Sequence, residues 1–121
     1  MIKGRKASGG KYKNIKKKKL YARKGLERRV KLKKIKKKIM KGRGGILKTV
    51  LLAADYANIF DPKTKKAKKV KILNVIETPS NRFLARQNIL VKSAIIETEL
   101  GKAKITNRPS QESMIQAVLM Q

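Results

Sequence analysis

The sequence predicts a mainly β protein: a small β-barrel of the six-stranded type, preceded by a basic, extended N-terminal arm. Three observations carry that expectation. From Val70 onward, short β-branched apolar runs recur at roughly ten-residue spacing between turn signals. The charge is lopsided, with 34 Lys/Arg against 7 Asp/Glu and a net +27. Finally, a chain of 121 residues has room for one core and hardly for two. Closing short apolar strands into a barrel also removes their exposed edges.

The charge divides the chain. Residues 1–44 hold 21 Lys/Arg and a single acid, Glu27, whereas residues 45–121 hold 13 Lys/Arg and six acids. We assign residues 1–29 to the arm and 30–121 to the barrel domain. The arm repels itself and has too little apolar surface to offset the ordering of its backbone. Runs such as Lys16–Lys19 and Lys36–Lys38 need a polyanion nearby. Nucleic acid suits them, because each neutralised phosphate releases a condensed counterion. A membrane surface would need bulky apolar anchors along one helix face. The residues Ile2, Ile15, Leu20, Tyr21 and Leu26 are too sparse for that.

Within the arm, Ser8-Gly9-Gly10 reads as a close-approach point or a plain hinge. Gly25 interrupts any helix through 16–29. Residues 30–41 are ambiguous: Leu32, Ile35 and Ile39 have helical spacing, while Val30-Lys31-Leu32 alternates as in a strand. Gly42-Arg43-Gly44-Gly45 stops either element. The apolar run 46–60 is a buried helix or a buried strand, with Tyr56 and Phe60 in the core. Asp61-Pro62 signals a turn. A charged segment, 65–69, leads to a strand over 70–76. Ser80 is placed to cap a single helical turn over 82–86. Strands follow over 89–91, 94–96, 102–106 and 114–120, with a turn at Leu100-Gly101.

Composition excludes whole classes of chemistry. Cys, His and Trp are absent from the sequence, which removes disulfides, zinc sites of the Cys/His type and Cys or His catalysis. No apolar run approaches the roughly 20 residues of a membrane span. The N-terminus lacks the apolar stretch of a signal peptide. A P-loop starting at Gly42 would need glycine where Leu47 stands. Glu97 and Glu99 share a face if both lie on a strand. They read as a solvated face or as counter-charge, since no other carboxylate is near in sequence to complete a site. No metal, cofactor or catalysis is expected. Aromatic residues are few, and no Lys/Arg-Gly-Phe/Tyr box is present to stack single-stranded bases. Tyr12 and Tyr21 stack on bases or merely wedge between them. Binding through phosphate and backbone shape follows.

Three stretches carry a resemblance. They are Arg5-Lys6-Ala7-Ser8-Gly9-Gly10-Lys11, then Lys41-Gly42-Arg43-Gly44-Gly45 running on to Asp55-Tyr56-Ala57-Asn58, and the long block from Thr78-Pro79-Ser80-Asn81-Arg82 to Thr106. Together, in this order, they resemble the ribosomal protein S8e family of archaeal and eukaryotic small subunits, in its short archaeal form. The sequence departs from the family pattern at Ile46, usually Asn, and at Ser110 and Ser113, usually glycines.

The resemblance implies a small β-barrel with a basic extension threaded into small-subunit rRNA, and a strand near 31–41. It implies a cytoplasmic structural protein of the ribosome with no enzymatic activity. Its partners would be small-subunit rRNA and neighbouring ribosomal proteins, with no membrane and no small-molecule substrate. The residues assigned to RNA in the arm are Lys3, Arg5, Lys6, Ser8, Gly9, Gly10, Lys11, Lys13, Lys16, Lys17, Lys18, Lys19, Arg23, Lys24, Arg28 and Arg29. On the domain they are Arg43, Gly44, Gly45, Asn81, Arg82, Arg86 and Arg108. The runner-up is a chromatin architectural protein that compacts DNA. A weaker third reading is an enzyme using Glu97 and Glu99.

Overall fold

The computed structural model describes residues 4–12, 19–23, 25 and 27–120. The described strands are β1 (Val30–Leu32), β2 (Lys36–Lys41), β3 (Leu47–Ala54), β4 (Tyr56–Asp61), β5 (Lys66–Glu77), β6 (Ile89–Leu90), β7 (Ile95–Thr98), β8 (Gly101–Ile105) and β9 (Gln116–Leu119). A single short helix, α1 (Arg82–Arg86), lies between β5 and β6.

The mainly β expectation holds, and the strand count of the barrel needs correcting. Five strands, β4-β5-β7-β8-β9, close the barrel, and β2-β3-β1-β6 form a separate four-stranded sheet. Two features that sequence periodicity does not reveal account for the difference. The run 46–60 is not one element: it bends at Asp55, so β3 stays in the sheet and β4 enters the barrel. And β6 pairs with β1 (Val30 opposite Leu90) instead of with a barrel strand.

Residues 30–41 resolve as two strands on either side of β3. β1 runs parallel to it, with Lys31 opposite Ala53, while β2 runs antiparallel from Lys36–Ala53 out to Lys41–Leu47. The helical spacing of Leu32, Ile35 and Ile39 is unused, and Ile39 is 66% exposed. β5 begins at Lys66, earlier than the apolar run, because β4 supplies partners down to Asp61 opposite Lys66. Its two register shifts, at Ile72/Asn74 and Val75/Glu77, bend it from β4 onto β7. Such bulges let a long strand wrap a small barrel.

Sheet and barrel share one core. Val30, Leu51, Ala54 and Leu90 from the sheet pack in the same buried cluster as Ile59, Ile72, Ile96, Ile105 and Ile115 from the barrel. Each such Val, Leu or Ile side chain contributes about 1.5–3 kcal/mol by leaving water. Tyr56 and Phe60 are not core residues. Alternation on β4 turns Ala57 and Ile59 inward and leaves both rings more than two-fifths exposed. The inward register is set by Ile59, and aromatic size does not override it.

The helical turn is capped by Asn81, not Ser80: the Phe83 N–H donates to Asn81 Oδ1 at 3.0 Å. Asn88 closes the other end at φ +51, a conformation asparagine tolerates. The Asp61-Pro62 turn forms as expected, with Asp61 accepting from the Lys63 N–H and the Thr64 hydroxyl.

Candidate nucleic-acid interface

Part of the arm is a closed turn, which corrects the purely extended reading. Arg5 and Lys11 bridge antiparallel, and the Gly9 N–H donates to the Lys6 carbonyl at 2.9 Å. Gly9 sits at φ +76, which a residue with a Cβ adopts only under strain. The Arg5 guanidinium donates to the Gly9 carbonyl at 3.0 Å, and the Lys6 ammonium lies 5.8 Å from the Tyr12 ring centre. Ser8, Gly9, Gly10 and Lys11 are therefore grouped on one small exposed loop. Leu20–Ala22 make one 3-10 turn, leaving Leu20 and Tyr21 82% exposed. Lys19, Arg23, Arg28 and Arg29 are exposed. The remaining arm candidates, Lys3, Lys13, Lys16, Lys17, Lys18 and Lys24, lie outside the described residues.

On the domain, the cations occupy strand faces and loops. Edge strand β2 presents Lys36, Lys37, Lys38 and Lys41 to solvent, and β5 presents Lys66, Lys68, Lys69 and Lys71. The Lys36–Lys38 run calls for a polyanion in the sequence but is not assigned to RNA contact there, and the β5 lysines, spaced among apolar residues inside a strand, are not marked as a site at all. The rows meet at a cleft of about 200 Å³ lined by Lys37, Lys69, Tyr56 and Asn58. There Lys69 lies 5.0 Å from the Tyr56 ring centre. Lysines along an edge strand also block pairing with a second sheet.

The Arg43-Gly44-Gly45 turn is the tip of the β2–β3 hairpin. Gly44 and Gly45 take φ +73 and +75, and the Gly42 N–H donates to the Ile46 carbonyl at 2.7 Å. The tip is exposed throughout, with Ile46 at 70% in the position the family usually gives to Asn. Arg82 and Arg86 instead line a cleft with Asn74 and Asn88 beside β5. α1 packs on β5 and β6, and β6 is the sheet edge opposite β2. The structure therefore separates Arg43 from Arg82. It also engages the Asn81 side-chain oxygen in capping, and sets the Arg82 guanidinium 5.5 Å from the Phe83 ring centre.

Arg108 is exposed at the start of the loop joining β8 to β9. Asn107 ties that loop, donating to Glu112 Oε2 and to the Met114 carbonyl, each at 2.8 Å. Neither Ser110 nor Ser113 has a positive φ, so this loop folds without the family's glycines.

The carboxylates do not build a catalytic site. β7 ends at Thr98, which leaves Glu99 in the following turn, so Glu97 and Glu99 do not share a strand face. Glu97 stands opposite Lys102 and beside Asn74 in the barrel ladder. Two further acids hold turns: Asp61 and Glu112. The Thr64 hydroxyl, then the Lys63 N–H, hold the Asp61 carboxyl below its ordinary value of 3.8. Among the described residues no group of acids is arranged to hold a metal. No described helix is long and apolar enough to cross a membrane.

A family model described as ribosomal protein S8e matches residues 2–120. Several relatives carry the name small ribosomal subunit protein eS8. The protein of Methanococcus aeolicus is 47% identical over 118 residues, an alignment spanning 96% of this chain and 91% of the relative. That of Sulfolobus acidocaldarius is 54% identical over 77 residues, spanning 64% of this chain and 60% of the relative. For Hyperthermus butylicus the identity is 57% over 79 residues, spanning 65% and 58%. The last two alignments thus cover less than two thirds of those relatives.

Proposed function

The chain belongs to the ribosomal protein S8e family, and from that premise we propose that it is a structural constituent of the small ribosomal subunit. The family is one of structural proteins, not enzymes. The protein binds folded small-subunit rRNA and holds it, using its arm and the basic faces of its β domain. One observation carries the reading beyond family membership. The described cations of the arm, of β2 and of β5 all point to solvent, while most of the buried apolar residues gather in a single core. The surface is thus a distributed phosphate-binding coat, suited to the backbone of folded RNA.

The mechanism is charge neutralisation and wedging. The β domain docks on rRNA, and the arm runs between helices, where its charge lets phosphates approach one another. Exposed Tyr12, Leu20 and Tyr21 give it apolar surface to wedge against bases. Other ribosomal proteins are its neighbours in that setting.

Co-sedimentation tests the reading. Full-length protein added to archaeal small subunits stripped of this component should travel with them through a sucrose gradient at high salt. Release at salt that leaves the other proteins bound would sink the proposal. The chromatin reading differs in its ligand. At matched salt, structured rRNA should bind more tightly than duplex DNA of equal length, and equal or reversed affinities favour DNA compaction.

A further inference from the structure

The lysine rows on β2 and β5 lie on open strand faces, as phosphate contacts require. Of three clefts that carry cations, two hold a pair each, and one gathers three. Between the base of the arm and the loop after β8 is a cleft of about 280 Å³. Its floor is apolar: Leu90 is 1% exposed, Pro109 is fully buried and Val91 is half-buried. Arg28, Lys92 and Arg108 stand around it, and among the described residues no carboxylate lines it.

We propose that this cleft seats one unstacked nucleotide of the bound RNA, its phosphate on Arg28, Lys92 and Arg108 and its base or sugar against Val91, above the buried Leu90 and Pro109. The inference rests on the RNA-binding reading and adds a defined site to it. Three features support the ligand class. A site for phosphate alone has no use for an apolar floor, whereas ligand clefts combine such a floor with a few convergent polar groups. The volume lies near the lower end of the roughly 300–1,000 Å³ of small-ligand clefts, which suits one nucleotide and excludes a helix. Bases splayed out of RNA loops stack on side-chain faces, Arg guanidinium planes among them, and guanidinium forks pair with phosphate.

The cleft is also held in shape. Arg28 Nε donates to the Ser110 carbonyl at 3.4 Å, which ties the base of the arm to a loop 82 residues later. That bond uses Nε and leaves the two terminal nitrogens of the guanidinium for an anion. Two residues after Arg28, Val30 is buried in the core and anchors the approach. The loop's own acid, Glu112, is engaged by Asn107, so it is held as part of the loop's internal bonding.

The test uses the full-length protein in two arms. First, amide NMR follows Ser80, Leu90, Lys92 and Ser110 during titration with AMP, adenosine or inorganic phosphate at fixed ionic strength. AMP should produce saturable shifts confined to these amides, stronger than either fragment alone. Arg108→Ala should weaken the effect about tenfold, as loss of a hydrogen bond to a charged group does. Equal shifts from phosphate and AMP, shifts spread along β2 and β5, or an unaltered response in Arg108→Ala would overturn the proposal. Second, filter binding to archaeal small-subunit rRNA compares Lys92→Ala and Arg108→Ala with Lys68→Ala as an open-face control. Thermal melts confirm folding. The two cleft variants should lose about tenfold in affinity and the control less. An AMP site in the cleft with unchanged rRNA affinity would mean that it takes free nucleotide and not RNA, and would overturn the proposal. Failure of the wild-type protein to bind rRNA at all is a separate result and removes the ribosomal reading itself.

Discussion

Before Val30 every described residue is exposed, while after it the chain folds into two sheets around one buried cluster. Residues 1–29 contain 13 of the 34 basic residues, and the β domain contains the other 21. The domain tolerates the larger number because the strands that line its core turn lysine outward and an apolar neighbour inward. On β5, for example, Val70 and Ile72 are buried while Lys69 and Lys71 are exposed. The described part of the arm has no such second face. Its local order comes from glycine, as at Gly9, and from hydrogen bonds within a few residues. Cationic density is therefore compatible with a fold where alternation supplies a core, and calls for a polyanion where it does not.

The sharpest way to break this comparison is to remove the arm. Deleting residues 1–29 should leave the melting temperature of the β domain nearly unchanged. The same deletion should lower rRNA affinity by about a hundredfold or more at physiological salt. At roughly 0.7–0.9 units of log–log salt slope per phosphate contacted, the slope should flatten markedly. Identical slopes for truncated and full-length protein would show that the arm touches no phosphates.

A converse effect is expected in the core. Leu51 is 0% exposed and joins sheet to barrel, so Leu51→Ala should destabilise the domain by about 2–5 kcal/mol. Urea unfolding measures this. A loss confined to the four-stranded sheet, with the barrel melting separately, would show that the two sheets do not share one cooperative core.

Next come the two separated arginines. Arg43→Ala and Arg82→Ala should each leave folding intact and weaken rRNA binding by about 1.5–3 kcal/mol. Because they lie at opposite edges of the sheet, their effects should add. If Arg82→Ala lowers the melting temperature and leaves affinity per folded molecule unaltered, its role is to cover Phe83.

A smaller change separates capping from recognition. Asn81→Ala should cost about 1 kcal/mol of stability through the lost N-cap. Filter binding on the folded fraction then reports whether the side-chain amide also meets RNA.

The smallest effect concerns acid. Asp61 has its folded pKa depressed by the Thr64 and Lys63 bonds. A depressed value stabilises the fold above the ordinary pKa of 3.8, and the contribution is lost as pH falls through the lower folded value. Melts of wild type and Asp61→Ala should therefore differ slightly at neutral pH and converge in strong acid. A difference that persists unchanged there would assign the effect to something other than ionisation.

Much of this molecule was legible in one dimension. Composition alone marks the N-terminal stretch as unlike the rest, because charge repulsion and a shortage of apolar residues act locally and need no knowledge of the fold. The turns at Asp61-Pro62 and Gly44-Gly45 follow from short-range backbone preferences, and alternation marks strands at 94–96 and 102–106, which the structure places at 95–98 and 101–105. What required the tertiary structure is whatever depends on a partner strand. The bend at Asp55 assigns the two halves of one apolar run to different sheets, and β6 pairs with β1 across 60 residues. β5 extends back through four lysine and alanine positions because β4 lies beside it. The same holds for the sites. The arm was marked by its charge, whereas the lysine rows of β2 and β5 become surfaces only when strands fix their facing. The cleft of Arg28, Lys92 and Arg108 exists only because the chain returns to its own arm. Local chemistry is written in sequence order, and pairing energy is not.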